Sequence, residues 1–222
     1  MPTEITITAY KFSELTGSAK ERAKSTLTEW RTNYNWYGDV YENAIEHGKQ
    51  FGYYIEDIQF SGFWSQGDGA SWTGEINLME FIEKHADKKS ASFGEDMILV
   101  ELMRCSWINT TMHIVRRTYH YCHENTMTYE YNDWTDWEFV SEDAVLEAGV
   151  MQGASVKQLR ESFDVNGRIN EWLRLAMNCA KQYAKDIYRQ LEQDYEHITS
   201  DEELADFAHA NGLLFDEDGR VL

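Results

Sequence analysis

Residues 167–195 carry Ile169, Trp172, Leu173, Ala176, Ala180, Tyr183, Ile187, Leu191 and Tyr195 at intervals of three and four. That spacing places all nine on one face of a single helix nearly four heptads long. A fold containing this helix has to cover the stripe. Either the helix is the spine of a domain, or it offers an edge to a second copy and supports a homodimer.

The other segments surround that helix with both kinds of secondary structure. Residues 3–10 alternate Ile5 and Ile7 with threonines, the pattern of a short strand. Residues 13–34 turn helical, with Leu15, Ala19, Ala23, Leu27, Trp30 and Tyr34 on one face. A second helix is expected over 38–50, stopped by Gly52. Residues 55–78 read as two strands around the turn SQGDG, and 79–86 as a short helix. The run ILVELMRCSW from Ile98 reads as a strand. Residues 112–139 are rich in Thr, Tyr, Val and Trp and read as a hairpin. A two-residue loop at Glu124-Asn125 makes paired positions sum to 249. His120 then faces Tyr129, Arg116 faces Asp133, and His113 faces Asp136. Residues 141–163 read as short helices, and 202–210 as a last helix capped by Thr199-Ser200-Asp201. A small hairpin turned by Asp218-Gly219 closes the chain. The sum is an α+β fold: a central, mostly antiparallel sheet flanked by helices. One domain is expected over 1–222, with a helical part (1–54), a β-rich middle (55–140) and a helical end (141–222).

Charge restricts what such a fold can do. The 222 residues carry 39 acidic and 20 basic side chains, a formal charge of −19. Nonspecific nucleic-acid binding and docking on anionic membranes both need the opposite sign. No apolar run is long enough to span a bilayer, and MPTEITITAY lacks the features of a signal peptide. Three cysteines suit a reducing, cytoplasmic setting.

The acids are uneven. Residues 121–147 hold eight carboxylates and no Lys or Arg; residues 190–222 hold ten and one Arg. Carboxylates at regular spacing on a rigid surface imitate duplex phosphates, which lie about 7 Å apart along one strand. Glu130, Asp133, Asp136 and Glu138, with Trp134 among them as an aromatic anchor, together with Trp64 and Asp68 around the SQGDG turn, are the candidate partner-binding set. The plain alternative is a set of solvated carboxylates on an acidic protein. A second candidate lies at the SQGDG turn. There Asp68 would act as acid or base, with Trp64 and Trp72 as platforms; the glycines around Asp68 equally suit a tight turn. His113, His120, Cys122, His123 and Glu124 lack the second pair of donors that a structural zinc needs, so no metal is expected. GxxxxGK[ST], GxGxxG, GxSxG and HExxH are all absent. Hence no catalytic residue and no cofactor is assigned.

Three stretches carry a resemblance: FSELTGSAKERAKSTLTEWRTNYNW, YIEDIQFSGFWSQGDGASW and SDEELADFAHANGLLFDEDGRVL. They resemble a group of tailed-phage proteins of unassigned function, in the opening helix, the FSGFWSQGDGA stretch and the closing acidic hairpin. The resemblance covers about a third of the chain. It implies a phage origin and action in the cytoplasm of an infected bacterium, and it brings no catalytic residues. The expected function is an accessory protein that binds and inhibits a host defence or nucleic-acid-processing protein through an acidic, DNA-mimicking surface. The rival readings are a small enzyme with its site in residues 60–72, and a regulatory, antitoxin-like module.

Overall fold

The computed structural model describes residues 6–105, 108–118, 121–134 and 164–222. Among these, six helices and one four-stranded antiparallel sheet form an α+β protein. The helices are α1 (Gly17–Thr32), α2 (Gly38–Lys49), α3 (Leu78–His85), α4 (Phe93–Arg104), α5 (Val165–Ile198) and α6 (Asp201–Ala210). The strands are β1 (Tyr53–Ser61), β2 (Gly69–Asn77), β3 (Thr111–Arg116) and β4 (Met127–Glu130), adjacent in chain order.

Contacts group the chain into two compact units, Met1–Val40 with Arg189–Leu222, and Tyr41–Tyr188. These do not follow the three sequential parts read from composition.

The first unit closes around Phe12, Leu15, Ala23, Leu27, Leu204, Ala208 and Phe215. Trp30 and Tyr34, at the end of the α1 stripe, are exposed. Tyr10 and Phe215 exchange backbone hydrogen bonds, N–H to C=O in both directions. Tyr10 is in this isolated bridge, and residues 6–9 form no strand; Ile7 is exposed, so no burial holds an extended segment there. Phe215 also bridges Val221 across the Asp218-Gly219 turn, as expected. Ser200 caps α6 by accepting from the Glu203 N–H.

In the second unit one face of the sheet is the core. Tyr53, Ile55, Ile58, Ala70, Trp72, Ile76, Met112, Ile114 and Met127 are buried. The α5 stripe is buried as well, at Ile169, Trp172, Leu173, Ala176, Ala180, Ala184 and Ile187. The helix is therefore a spine, and the stripe is covered within the chain. Trp72 lies between sheet and helix with no exposed surface, its Nε1–H donating 3.2 Å to the Ala180 carbonyl. Tyr53 packs edge-on to Tyr183, and Phe81 of α3 packs edge-on to Trp172.

Two elements differ from the sequence reading. The segment from Ile98 belongs to helix α4, where Leu99, Val100, Leu102 and Met103 are all buried. Its helical signals are not in the apolar residues: Glu95 and Asp96 in the first turn and Arg104 in the last match the helix dipole, and Ser92 holds the N-cap position. Asp96 fixes α4 to α5, its Oδ1 accepting from Arg168 Nε (2.7 Å), Arg168 Nη2 (2.5 Å) and Trp172 Nε1 (2.8 Å).

The β3–β4 register also differs. Arg116 pairs with Met127 and His113 with Glu130, a shift of six positions from the expected pairing. Ten residues, 117–126, separate the two strands in place of a two-residue turn. This connection is closed by an Arg117 N–H to Thr126 C=O bond, and His123 accepts from the Asn125 N–H. Because the shift is even, each side chain keeps its face; Met112 and Ile114 stay in the core and His113 stays outside. Arg116 reaches Asp57 at 2.6 Å instead of Asp133. His120 and the short helices expected over 141–163 lie outside the described residues.

Two outcomes follow from this packing. Leu173→Ala removes a buried side chain and lowers stability by about 2–5 kcal/mol in a denaturant melt; an unchanged melt would mean the helix face is misplaced. Burial pushes the Tyr183 phenol up to about 12, with Asp186 adding to the shift, and burial likewise raises Tyr53. A folded pKa above the unfolded value of 10.0 gives stability that is complete below that value and is lost as pH rises toward the folded one. Denaturant midpoints should therefore fall from about pH 10 to about pH 12, and Tyr183→Phe should flatten that slope.

Candidate functional site

The two groups of candidate residues lie at different places on the second unit. β1 and β2 are joined by residues 62–68, so this loop sits where β2 begins. β4 begins beside Arg116 and runs toward His113, so residues 131–134 leave the sheet toward its other end. Trp64 and Asp68 therefore do not share a surface with Asp133 and Trp134.

The loop is held by its own backbone. Asp68 Oδ2 accepts from the Ser65 N–H at 2.7 Å, and the Asp68 N–H donates to the Ser65 carbonyl at 3.2 Å. Tyr188 of α5 donates its hydroxyl to the Gly62 carbonyl at 3.3 Å. Gly67 takes a positive φ of 92° and lies under the Tyr121 ring. Gly69 has ordinary backbone, yet a Cβ there would lie 2.6 Å from the His123 Cβ, so its role is close approach. Phe60, Phe63, Trp64 and Tyr188 form a run of ring contacts along this edge. Trp64 is a non-glycine residue at φ 69° and is 69% exposed.

The Asp68 carboxylate is thus engaged in shaping its turn. Trp72, the second proposed platform, is core and its indole N–H is bound to α5. The alternation of β2 puts positions 70, 72, 74 and 76 on the covered face, so no substrate meets that ring.

The acidic group sits on the outer face of the sheet. Glu75, His113 and Glu130 face one another across β2, β3 and β4. Tyr54 opposite Glu75 extends the row onto β1, its hydroxyl donating to Glu80 at 2.9 Å. His113 Nδ1 lies 3.3 Å from Glu75, and both side chains are about half exposed. Glu130 and Asp133 are exposed and make no ion pair among the described residues. Trp134, 48% exposed, follows them. One cation, Arg117, reaches this face and donates to Thr128 Oγ1. Asp136 and Glu138 lie outside the described residues. Sequence reasoning missed Glu75, although the alternation Thr73, Glu75, Asn77 against buried neighbours is the signal that marks it.

The C-terminal carboxylates are used differently. Asp201 pairs with Lys20 and Lys24, Glu203 with Arg31 and His197, and Asp218 with Arg22 and Arg220. The hydrogen bond from Lys24 holds the Asp201 carboxyl below its ordinary value. Of the ten carboxylates in 190–222, these three pair with the basic side of α1 within the first unit.

Among the described residues no cluster of three or more His, Cys, Asp or Glu is arranged to hold a metal ion. No helix among them is long and apolar enough to cross a membrane.

A family profile described as a domain of unknown function (DUF8835) matches residues 36–201, and the chain belongs to that family. No curated protein and no solved structure matches the chain.

The Trp64 backbone gives a direct test of the loop. Trp64→Gly and Trp64→Ala lose the same ring, but only glycine is at ease at positive φ. The glycine variant should be more stable by about 1 kcal/mol in denaturant melts. The reverse order would contradict the left-handed conformation.

Proposed function

We propose that this DUF8835 chain is a binding protein, not an enzyme, and that it attaches to a basic surface on another protein through the outer face of its sheet. In the fuller form of this reading it is a phage accessory protein that inhibits a host defence or nucleic-acid-processing factor in the host cytoplasm. The observation that carries it is the difference between the two acidic segments. Asp201, Glu203 and Asp218 near the C-terminus are engaged by α1, whereas Glu130 and Asp133 are exposed and make no ion pair among the described residues. Carboxylates left uncompensated on a rigid sheet cost solvation only when something covers them, and a cationic partner offsets that cost.

The geometry suits a protein that normally holds a polyanion. Glu75 and Glu130 flank His113 on neighbouring strands, and two strand spacings set them about 10 Å apart. Trp134, exposed four residues after Glu130 in the chain, is the type of side chain that anchors interfaces. The enzyme reading keeps only Trp64 of its three supports, because Asp68 accepts from the Ser65 N–H of its own loop and Trp72 is buried.

The experiment compares the parent with the variant Glu75→Gln, Glu130→Gln, Asp133→Asn. Each chain is immobilised, exposed to bacterial lysate, and the captured proteins are identified; affinity for the purified capture is then measured at rising salt. The parent should capture a basic protein that duplex DNA displaces. Its affinity should fall by at least about tenfold between 0.05 M and 0.5 M salt, where screening shortens to about 4 Å. The neutralised variant should lose that salt dependence and most of the affinity while melting at the same temperature. Equal binding by parent and variant would overturn the reading.

A further inference from the structure

Arg174 is exposed on α5 and makes no hydrogen bond or ion pair among the described residues, in a chain of charge −19. It lines a cavity of about 650 Å³ together with Asp87, Ser90, Ser92, Asn178 and Leu175, beside the Asp96–Arg168–Trp172 contact. That volume lies within the range of small-molecule sites, about 300–1,000 Å³.

The charges around the cavity separate into spent and unspent. Arg168 is spent on Asp96 and Glu171, at 2.5 Å each. Asp96 is further satisfied by the Trp172 indole, at 2.8 Å. Arg168 and Asp96 cancel one another and fix the wall, and Glu171 leaves one negative charge beside them. Arg174 remains as a guanidinium with five unfilled donors. Asp87 remains as a carboxylate whose Oδ1 accepts only from the Lys89 N–H, at 2.9 Å. Ser92 occupies the N-cap of α4 without capping it, and its hydroxyl contacts that of Ser90 at 2.8 Å. Two hydroxyls and the Asn178 amide add neutral polar partners to the lining.

One free cation and one free anion in the same cavity select a ligand that carries both signs. A plain anion would meet Asp87, Glu171 and the net negative charge of the chain. A plain cation would meet Arg174. We propose that this cavity binds a small zwitterion, with an oxyanion group held by Arg174 and an ammonium group facing Asp87. A guanidinium pairs with carboxylate and phosphate alike, so the oxyanion is of either kind. This site is separate from the outer sheet face and does not depend on how that face functions.

The test is calorimetric titration of the full chain with β-alanine, which joins a carboxylate to an ammonium, and with phosphoethanolamine, which joins a phosphate to one. Acetate, inorganic phosphate and ethylamine are the single-charge controls. One zwitterion should bind saturably with a Kd below about 1 mM, and the better of the two identifies the oxyanion. The controls should bind at least about tenfold more weakly. Arg174→Gln and Asp87→Asn should each weaken binding by at least about tenfold. Because Arg174 is exposed and unpaired, its variant should melt like the parent. Absence of saturable binding by both zwitterions up to about 10 mM, or equal binding by Arg174→Gln, would overturn the assignment.

Discussion

The second unit depends on one buried indole. Trp72 fills the space between β2 and α5, and its N–H bonds a carbonyl in the middle of the helix. A buried indole needs a partner for its one donor, and the Ala180 carbonyl supplies it. That contact fixes the helix along the sheet as well as its distance from it. The small residues around the contact, Ala176, Ala180 and Ala184, are completely buried and let the helix approach closely. With the inner face committed in this way, alternation along each strand decides what the outer face presents. Glu75, His113 and Glu130 are outside because Ile76, Met112 and Met127 are inside.

The same alternation explains how much of the fold was legible. The α5 stripe is written over nine residues at helical spacing, and the structure buries it. The β1–β2 hairpin was legible from turn residues and strand composition. The register of β3 and β4 was not, because loop length fixes register and nothing local marks 117–126 as one connection. Its closing contacts, Gly69 against His123 and Arg117 to Thr126, join residues far apart or at opposite ends of the loop. Helix α4 was misread because a run that is apolar on every side has no period. Its helical character is visible only in the flanking Ser92, Glu95, Asp96 and Arg104, and in the partner that Asp96 finds on α5.

For the candidate sites, charge counting located the acidic segments but did not separate them by use. Three of the C-terminal acids, Asp201, Glu203 and Asp218, pair with the basic face of α1, across more than 170 residues of sequence. Among the described residues, Glu130 of β4 and Asp133 beyond it have no such complement. Likewise Trp64 and Trp72 are equivalent in sequence as tryptophans near a turn, yet one is on the loop and the other on the covered face of a strand.

The central claim is that the outer face of the sheet is where a partner sits. Carbodiimide labelling of carboxylates, read by mass spectrometry in the free chain and in its complex with a captured protein, tests it most directly. The account predicts that Glu75, Glu130 and Asp133 lose label on binding while Glu202 and Glu217 keep it. Unchanged labelling of those three, with protection confined to Asp68 and its loop, would contradict it.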